Sequence, residues 1–222
     1  MGTGHFNKDR ITHLERYRPL EPDQIPTWKE AAKDGKPIEE LLGLTLLHTG
    51  IRRTTMAHMT EAWLNLDDEE NPHVKIPPRQ ECTLGRGKQG SGGDTKNTGQ
   101  PCYNCREKRP GYWKPKSHHG VRPIPIREED VEEILRNYFS VHDTVGGREK
   151  VNYYVEKISD RADLGREVTP HDLRNTYGTR LARKGFTPHE IMHLMGHSSI
   201  GIARFYIKMS GTRLGLAYDE KW

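Results

Sequence analysis

Two helix-start signatures, eighteen residues apart, constrain this chain more than any other feature. Thr169-Pro170 and Thr187-Pro188 each offer a hydroxyl for an N-cap, followed by a proline at the first helical position, where a missing N–H costs nothing. Asp172 and Glu190, three residues after each threonine, are placed to close capping boxes. His171 and Arg174 then fall at i and i+3 on one face of the first helix. Ile191, Leu194 and Met195 give the second helix its apolar face, and Gly196 ends it. His197 follows at the corner. A last helical run, Ile200 to Lys208, presents Tyr206 nine residues after His197.

The chemistry that suits such a group is attack on a phosphodiester. Arginine binds phosphate oxygens through a planar fork and stays charged. Histidine donates to an oxygen or takes a proton near neutral pH. Tyrosine, with a pKa near ~10, is a poor nucleophile unless cations and a base surround it. Two readings fit these four residues: a covalent phosphotyrosine enzyme, or a core tyrosine beside cations that decorate helix ends.

The order H-x-x-R, then L-x-G-H, then a tyrosine nine residues on, resembles the tyrosine recombinase (phage integrase) family. The resemblance extends over about Pro19 to Lys208. It implies an α+β, mainly α, DNA breaking-rejoining fold with a small antiparallel sheet that carries a lysine hairpin. By the same resemblance, Thr49-Gly50-Ile51-Arg52 is the turn that places a catalytic arginine at Arg52, with Arg53 its exposed neighbour. Thr55 stands where the family usually has an acidic brace, Asn175 where it often has a second histidine, and Ile202-Ala203 where a Thr-Thr pair is common.

The flanking chain agrees with a mostly helical domain. Thr27 to Ala32, Ile38 to Leu47, Arg127 to Phe139 and Val151 to Ile158 carry helical apolar spacing. Met56, Met59 and Trp63 mark the buried stripe of a helix that begins at Arg52. His73 to Pro78 reads as an edge strand ended by Pro77-Pro78. Gly85 to Gly99 holds six glycines in fifteen residues and is loop. Its GRGKQGSGG run lacks the G-x-x-x-x-G-K-[ST] spacing of a phosphate cradle, which excludes nucleotide binding there. The domain plan is an arm over 1–18, a catalytic domain over 19–208 with an insert at 79–112, and a tail over 209–222.

Cysteine usage bears on that insert. Cys102-Tyr103-Asn104-Cys105 is a C-x2-C knuckle, and Cys82 supplies a third thiolate. A structural zinc on Cys82, Cys102 and Cys105 would fold the glycine-rich insert back, with His73, His118 or His119 as fourth ligand. The alternative is free thiols. Three cysteines make no disulfide framework, so a reducing cytoplasm is the expected setting. A cysteine knuckle ahead of the lysine hairpin resembles archaeal and archaeal-virus integrases more than a type IB topoisomerase-like enzyme.

The most basic window follows. Arg106, Lys108, Arg109, Lys114, Lys116 and Arg122 interleave with Tyr112 and Trp113. The pattern predicts a hairpin: a strand from Trp113 to Lys116, a turn over Ser117 to Gly120, and a strand to Ile126. The resemblance assigns the catalytic lysine to Lys116, with Lys114 as the second choice. Lys108, Arg109, Lys114, Arg122 and Arg53 are the expected DNA contacts. The net charge of +4 suits a nucleic-acid partner but does not demand one, and it argues against adaptation to a high-salt cytoplasm. No apolar run approaches the ~18 residues of a membrane span, and the amino terminus has no secretory h-region.

The resemblance implies a site-specific recombinase of double-stranded DNA that needs neither ATP nor a catalytic metal. Tyr206 would form a 3′-phosphotyrosyl link, with Arg52, Lys116, His171, Arg174 and His197 completing the set. Its active form would be a homotetramer on synapsed DNA, its free form a monomer or weak oligomer. Fifty-one residues precede Arg52, so a separate DNA-clamping domain is expected to be absent, and affinity for DNA weak and salt-dependent. Two other functions fit the same residues: a type IB topoisomerase-like relaxing enzyme, and a catalytically dead DNA-binding regulator.

Overall fold

The computed structural model describes residues 17–85 and 99–211. Residues 1–16 of the expected arm, the middle of the glycine run and the tail beyond 211 lie outside the described residues. Helix α1 (Gln24–Lys33) is followed by α2 (Pro37–Thr49), a short α3 (Arg53–Met56) and a 3-10 turn (Glu61–Trp63). Five short strands come next: β1 (Leu64–Asn65), β2 (His73–Lys75), β3 (Gln80–Glu81), β4 (Tyr112–Trp113) and β5 (Pro123–Pro125). Helix α4 (Tyr103–Lys108) sits between β3 and β4, and a second 3-10 turn (His118–Gly120) between β4 and β5. The chain continues with α5 (Glu129–Phe139), α6 (Arg148–Ala162), α7 (Pro170–Arg183), α8 (Pro188–Met195) and α9 (Ile200–Ser210). The result is the mainly helical fold with small antiparallel sheets that the sequence implies.

Helix α2 is the hub. Ile38, Leu41, Leu42, Leu44, Leu46 and Leu47 are buried on all its sides, as a helix surrounded by others requires. It packs against α1, α5, α6 and α7. Gly50 ends it in the left-handed region at φ 56°, with its N–H on the Leu46 carbonyl. A side chain there would collide with the Tyr177 ring. The turn that leads to Arg52 therefore depends on glycine twice, for its φ and for the approach of α7.

Three local expectations are corrected. The helix after Arg52 lasts only four residues, Arg53–Met56. His58 Nδ1 donates to the Thr54 carbonyl at 2.7 Å, taking the acceptor that a further turn would use. Met56, Met59 and Trp63 are buried nonetheless, on a corner rather than a stripe. The strand His73–Lys75 is central, not at an edge: the sheet order is β1-β2-β5, with Leu64, Val74 and Ile124 side by side. Pro123 and Pro125 lack the N–H groups that a further strand would need, so β5 takes the edge. The expected hairpin does not form. β4 pairs with β3, through Gln80↔Trp113 and Glu81↔Tyr112, while β5 belongs to the other sheet.

The main core runs from Leu20 to Leu173 and includes both sheets. A second, smaller cluster holds Tyr177, Leu181, Ala182, Ile191, Met195, Ala203 and Tyr206 under the last three helices. Tyr206 is thus part of a core of its own, built by α7, α8 and α9.

Candidate active site

Both capping boxes form. Thr169 accepts from the Asp172 amide at 3.3 Å, while Asp172 Oδ2 takes the Thr169 N–H at 2.9 Å. Thr187 and Glu190 repeat the arrangement at 3.3 and 2.7 Å. These caps fix where α7 and α8 begin, and so which residues face inward. Gly196 adopts φ 62° at the end of α8 and delivers His197 into the interior.

Five of the six expected catalytic residues, Arg52, His171, Arg174, His197 and Tyr206, line one cleft of about 680 Å³. Arg53 lies on its rim, bonded to Asn152 Oδ1 at 2.9 Å. Lys116 and Lys114 are exposed and do not line the cleft.

The arginines are held by backbone carbonyls. Arg52 donates to the Gly196 carbonyl at 2.9 Å. Arg174, 6% exposed, donates to the carbonyls of Gly50 and Met195. The two guanidiniums thereby tie the α2–α3 turn to the α8–α9 corner. Carbonyl dipoles orient them without cancelling their charge. Burial first, and then the charge of Arg52, lower the pKa of Arg174 to about 9. Burial also lowers that of Arg52 itself, against the opposing pull of Tyr206. Both stay cationic at neutral pH, so two under-neutralised cations face the cleft, and an anion is what such a site binds. The Thr55 departure is resolved by geometry: Gly196 supplies the brace for Arg52.

Tyr206 is 2% exposed. Its hydroxyl donates to Asn175 Oδ1 at 3.2 Å. Its ring stacks on His197 with centroids 5.9 Å apart and planes 6° off parallel. Burial pushes its pKa up to about 12, against the opposing pull of Arg174 and Arg52. Tyr17 supports α9 from outside, with its ring edge-on to Phe205 at 5.0 Å and its hydroxyl 2.6 Å from Thr179 Oγ1.

Sequence reasoning left the roles of three residues unassigned here. Asn175 holds the nucleophile candidate. Gly178 lets it approach, since a Cβ there would meet Tyr206 Cε1 at 2.8 Å and Met195 Sδ at 2.7 Å. A glycine inside a helix, where alanine is favoured by about 1 kcal/mol, was the available signal. The third is His58, which stands beside the three cysteine thiols.

The expected DNA contacts divide. Lys108 and Lys114 are exposed, and Arg109 donates to the Lys114 carbonyl. Arg122 is a correction. It is half-buried, with Nε on the Leu194 carbonyl at 2.9 Å and Nη1 on the Gly120 carbonyl at 3.3 Å. Its guanidinium props the Gly196 corner from behind instead of facing outward.

Cys82, Cys102 and Cys105 come together, and the fourth donor beside them is His58. The histidine beside the three thiols is therefore His58, not the expected His73, His118 or His119. His73 Nδ1 bonds the Asn71 carbonyl at 2.7 Å on the other sheet, and His118 and His119 lie beside Arg122 in a separate cleft.

Comparison with known proteins agrees with this geometry. The Phage integrase family matches residues 127–213, which include α7, α8 and Tyr206. Tyrosine recombinase XerC of Pelotomaculum thermopropionicum is 34% identical over 75 residues, 34% of this chain and 23% of that one. Tyrosine recombinase XerD of Staphylococcus haemolyticus is 23% identical over 97 residues, 43% of this chain and 33% of that one. The matches thus span a third or less of those relatives. Among solved structures, the XerA recombinase superposes with a TM-score of 0.61 at 17% identity, over 91% of this chain and 62% of that one. The Tn1549 transposon integrase, in complex with transposon right end DNA, gives 0.59 at 20% identity, over 85% and 60%. The sequence relatives, XerC and XerD, are bacterial, and they do not show an archaeal or viral type. Residues 127–213 thus match the Phage integrase family, and the fold around them is that of solved tyrosine recombinase catalytic domains.

Proposed function

We propose that this chain is a site-specific recombinase of double-stranded DNA that cuts and rejoins strands through a 3′-phosphotyrosyl intermediate. The observation that carries the reading is the convergence of Tyr206 with Arg52, His171, Arg174 and His197 on one cleft. Tyr206 attacks the scissile phosphate, forming its O–P bond while the 5′-oxygen leaves. Arg52 and Arg174 clamp the non-bridging oxygens, where charge grows in the pentavalent transition state. His197 donates a hydrogen bond to a phosphate oxygen, and His171 moves the phenolic proton. Lys116 protonates the leaving 5′-oxygen. It stands outside the cleft in the free chain, so DNA must draw its segment in. Attack by a 5′-hydroxyl from a second duplex reverses the step and exchanges strands. No nucleotide is consumed, because the phosphotyrosine keeps the bond energy.

The wider reading is integration or excision of a mobile element or viral genome, of archaeal or archaeal-virus type, by a homotetramer on synapsed DNA. The likeness to the Tn1549 transposon integrase supports the mobile-element part.

The test is incubation with nicked suicide duplexes bearing candidate attachment sites, beside relaxation of supercoiled plasmid in magnesium-free buffer. A covalent protein–DNA band or relaxation, lost in Tyr206→Phe, is the expected result. DNA binding without a band or relaxation on any substrate would replace this reading with that of a binding-only regulator. Relaxation without strand exchange between two duplexes would favour a type IB topoisomerase-like enzyme.

A further inference from the structure

A second chemical cluster lies outside the cleft. His58, Cys82, Cys102 and Cys105 come from three separate segments: the corner after α3, the exit of β3, and the start of α4. Their donor atoms all lie within 4.8 Å of one another. His58 Nε2 is 3.8 Å from Cys102 Sγ and 3.6 Å from Cys105 Sγ. A tetrahedron with Zn–N near ~2.05 Å and Zn–S near ~2.3 Å has N···S edges of about 3.6 Å. The His58 edges to Cys102 and Cys105 match before any metal is considered.

The surroundings fit as well. His58 Nδ1 donates to the Thr54 carbonyl, so in the neutral ring Nε2 carries the lone pair, and Nε2 is the atom that faces the sulfurs. The Cys102 amide donates to Cys82 Sγ at 3.4 Å, a contact that favours a thiolate. His58, Cys82 and Cys105 are buried at 8%, 2% and 1% exposure. The Trp113 ring stacks on His58 at 5.4 Å, and Trp63 covers Trp113 at 5.1 Å. Gln80 Nε2 donates to the His58 carbonyl at 3.2 Å, fixing the corner from the other side.

We propose that His58, Cys82, Cys102 and Cys105 bind one structural zinc ion, which locks the cysteine-bearing insert onto the corner that follows the Arg52 turn. Four protein donors close the coordination sphere, so the ion holds structure and takes no substrate. Its position carries a further consequence. His58 is six residues after Arg52, and Trp113, stacked on it, immediately precedes Lys114. The ion therefore anchors the root of the Lys114–Lys116 segment to the element that bears Arg52. Only that consequence rests on the proposed function; metal content and coordination are measured without DNA.

The experiment is metal analysis of the chain purified without chelator, followed by cobalt(II) replacement. The expected result is about one zinc per chain, with the cobalt form showing intense tetrahedral d–d bands and thiolate-to-cobalt charge transfer. Cys105→Ser and His58→Ala are expected to lose the metal, and His58→Cys to keep it as a four-thiolate site. Should the first two variants fail to fold, the cobalt spectrum of the unaltered chain still decides. No zinc above background in a folded chain, a weak octahedral cobalt spectrum, or a Cys102–Cys105 disulfide in the isolated protein would overturn the proposal. So would full metal content with an unchanged cobalt spectrum in His58→Ala. Loss of recombination with zinc retained would count against the function alone.

Discussion

Tyr206 donates its phenolic proton to Asn175 Oδ1 across 3.2 Å, from α9 to the middle of α7. That bond sets where the phenol rests: inside a small core, 2% exposed, against the His197 ring. The phenol must give up this partner, or carry it along, to meet a phosphate.

Titration of Tyr206 should report its burial. Its pKa is raised to about 12, mainly by desolvation, from an ordinary value near 10. The native state holds the proton more tightly than the unfolded chain. Its contribution to stability is therefore full below pH ~10 and is lost as the pH rises towards ~12. Ultraviolet phenolate titration should show a late phase that loses one tyrosine's amplitude in Tyr206→Phe, while Tyr138, also pushed up to about 12 by burial, still titrates there. A Tyr206 step at pH ~10, unshifted, would mean the hydroxyl is already in water.

Gly178 should tolerate no side chain. In Gly178→Ala the new methyl lies 2.8 Å from Tyr206 Cε1 and 2.7 Å from Met195 Sδ. Alanine adds about 1 kcal/mol of helix propensity, but overpacking costs about 1–3 kcal/mol. The expectation is a net loss of stability on thermal melting, together with at least a tenfold drop in covalent trapping because the ring is displaced. A variant that is more stable and fully active would contradict the packing described.

Arg174→Lys should keep a positive charge and lose the fork that reaches both Gly50 and Met195. Cleavage should fall by about 100-fold or more, the scale of losing one preorganised donor. DNA binding, measured by filter retention, should change little. Equal losses in both would make Arg174 a binding residue only.

Lys116 offers the sharpest test of a role in proton transfer. Lys116→Ala should lose cleavage of ordinary DNA and regain it on duplexes with sulfur in the 5′-bridging position, because a thiolate leaves without an acid. Lys114→Ala should show no such rescue. The reverse pattern would move the role to Lys114.

How much was legible followed from how local each cause is. Thr169 with Asp172 and Thr187 with Glu190 are caps decided within four residues, and both form as the sequence predicts. Gly50 and Gly196 end their helices in the left-handed region for the same local reason. Strand pairing is not local. Trp113 pairs with Gln80, thirty-three residues earlier, and nothing in the Trp113–Ile126 run could reveal that competitor to the hairpin. His58 was hidden in the same way. It sits in an apolar run, Met56-Ala57-His58-Met59, and only the closure of the insert brings the cysteines to it. Arg122 looked like a surface cation because its carbonyl partners, Leu194 and Gly120, include one seventy-two residues away. Asn175 was noted as a departure from a pattern, and its acceptor role became visible only once α9 was docked.

The most direct test of the central claim is mass spectrometric mapping of the covalent complex trapped on a suicide duplex. The account predicts a nucleotide adduct on the peptide that contains Tyr206, joined through a 3′-phosphate, and no adduct in Tyr206→Phe. An adduct on another residue, or one that persists in Tyr206→Phe, would contradict it.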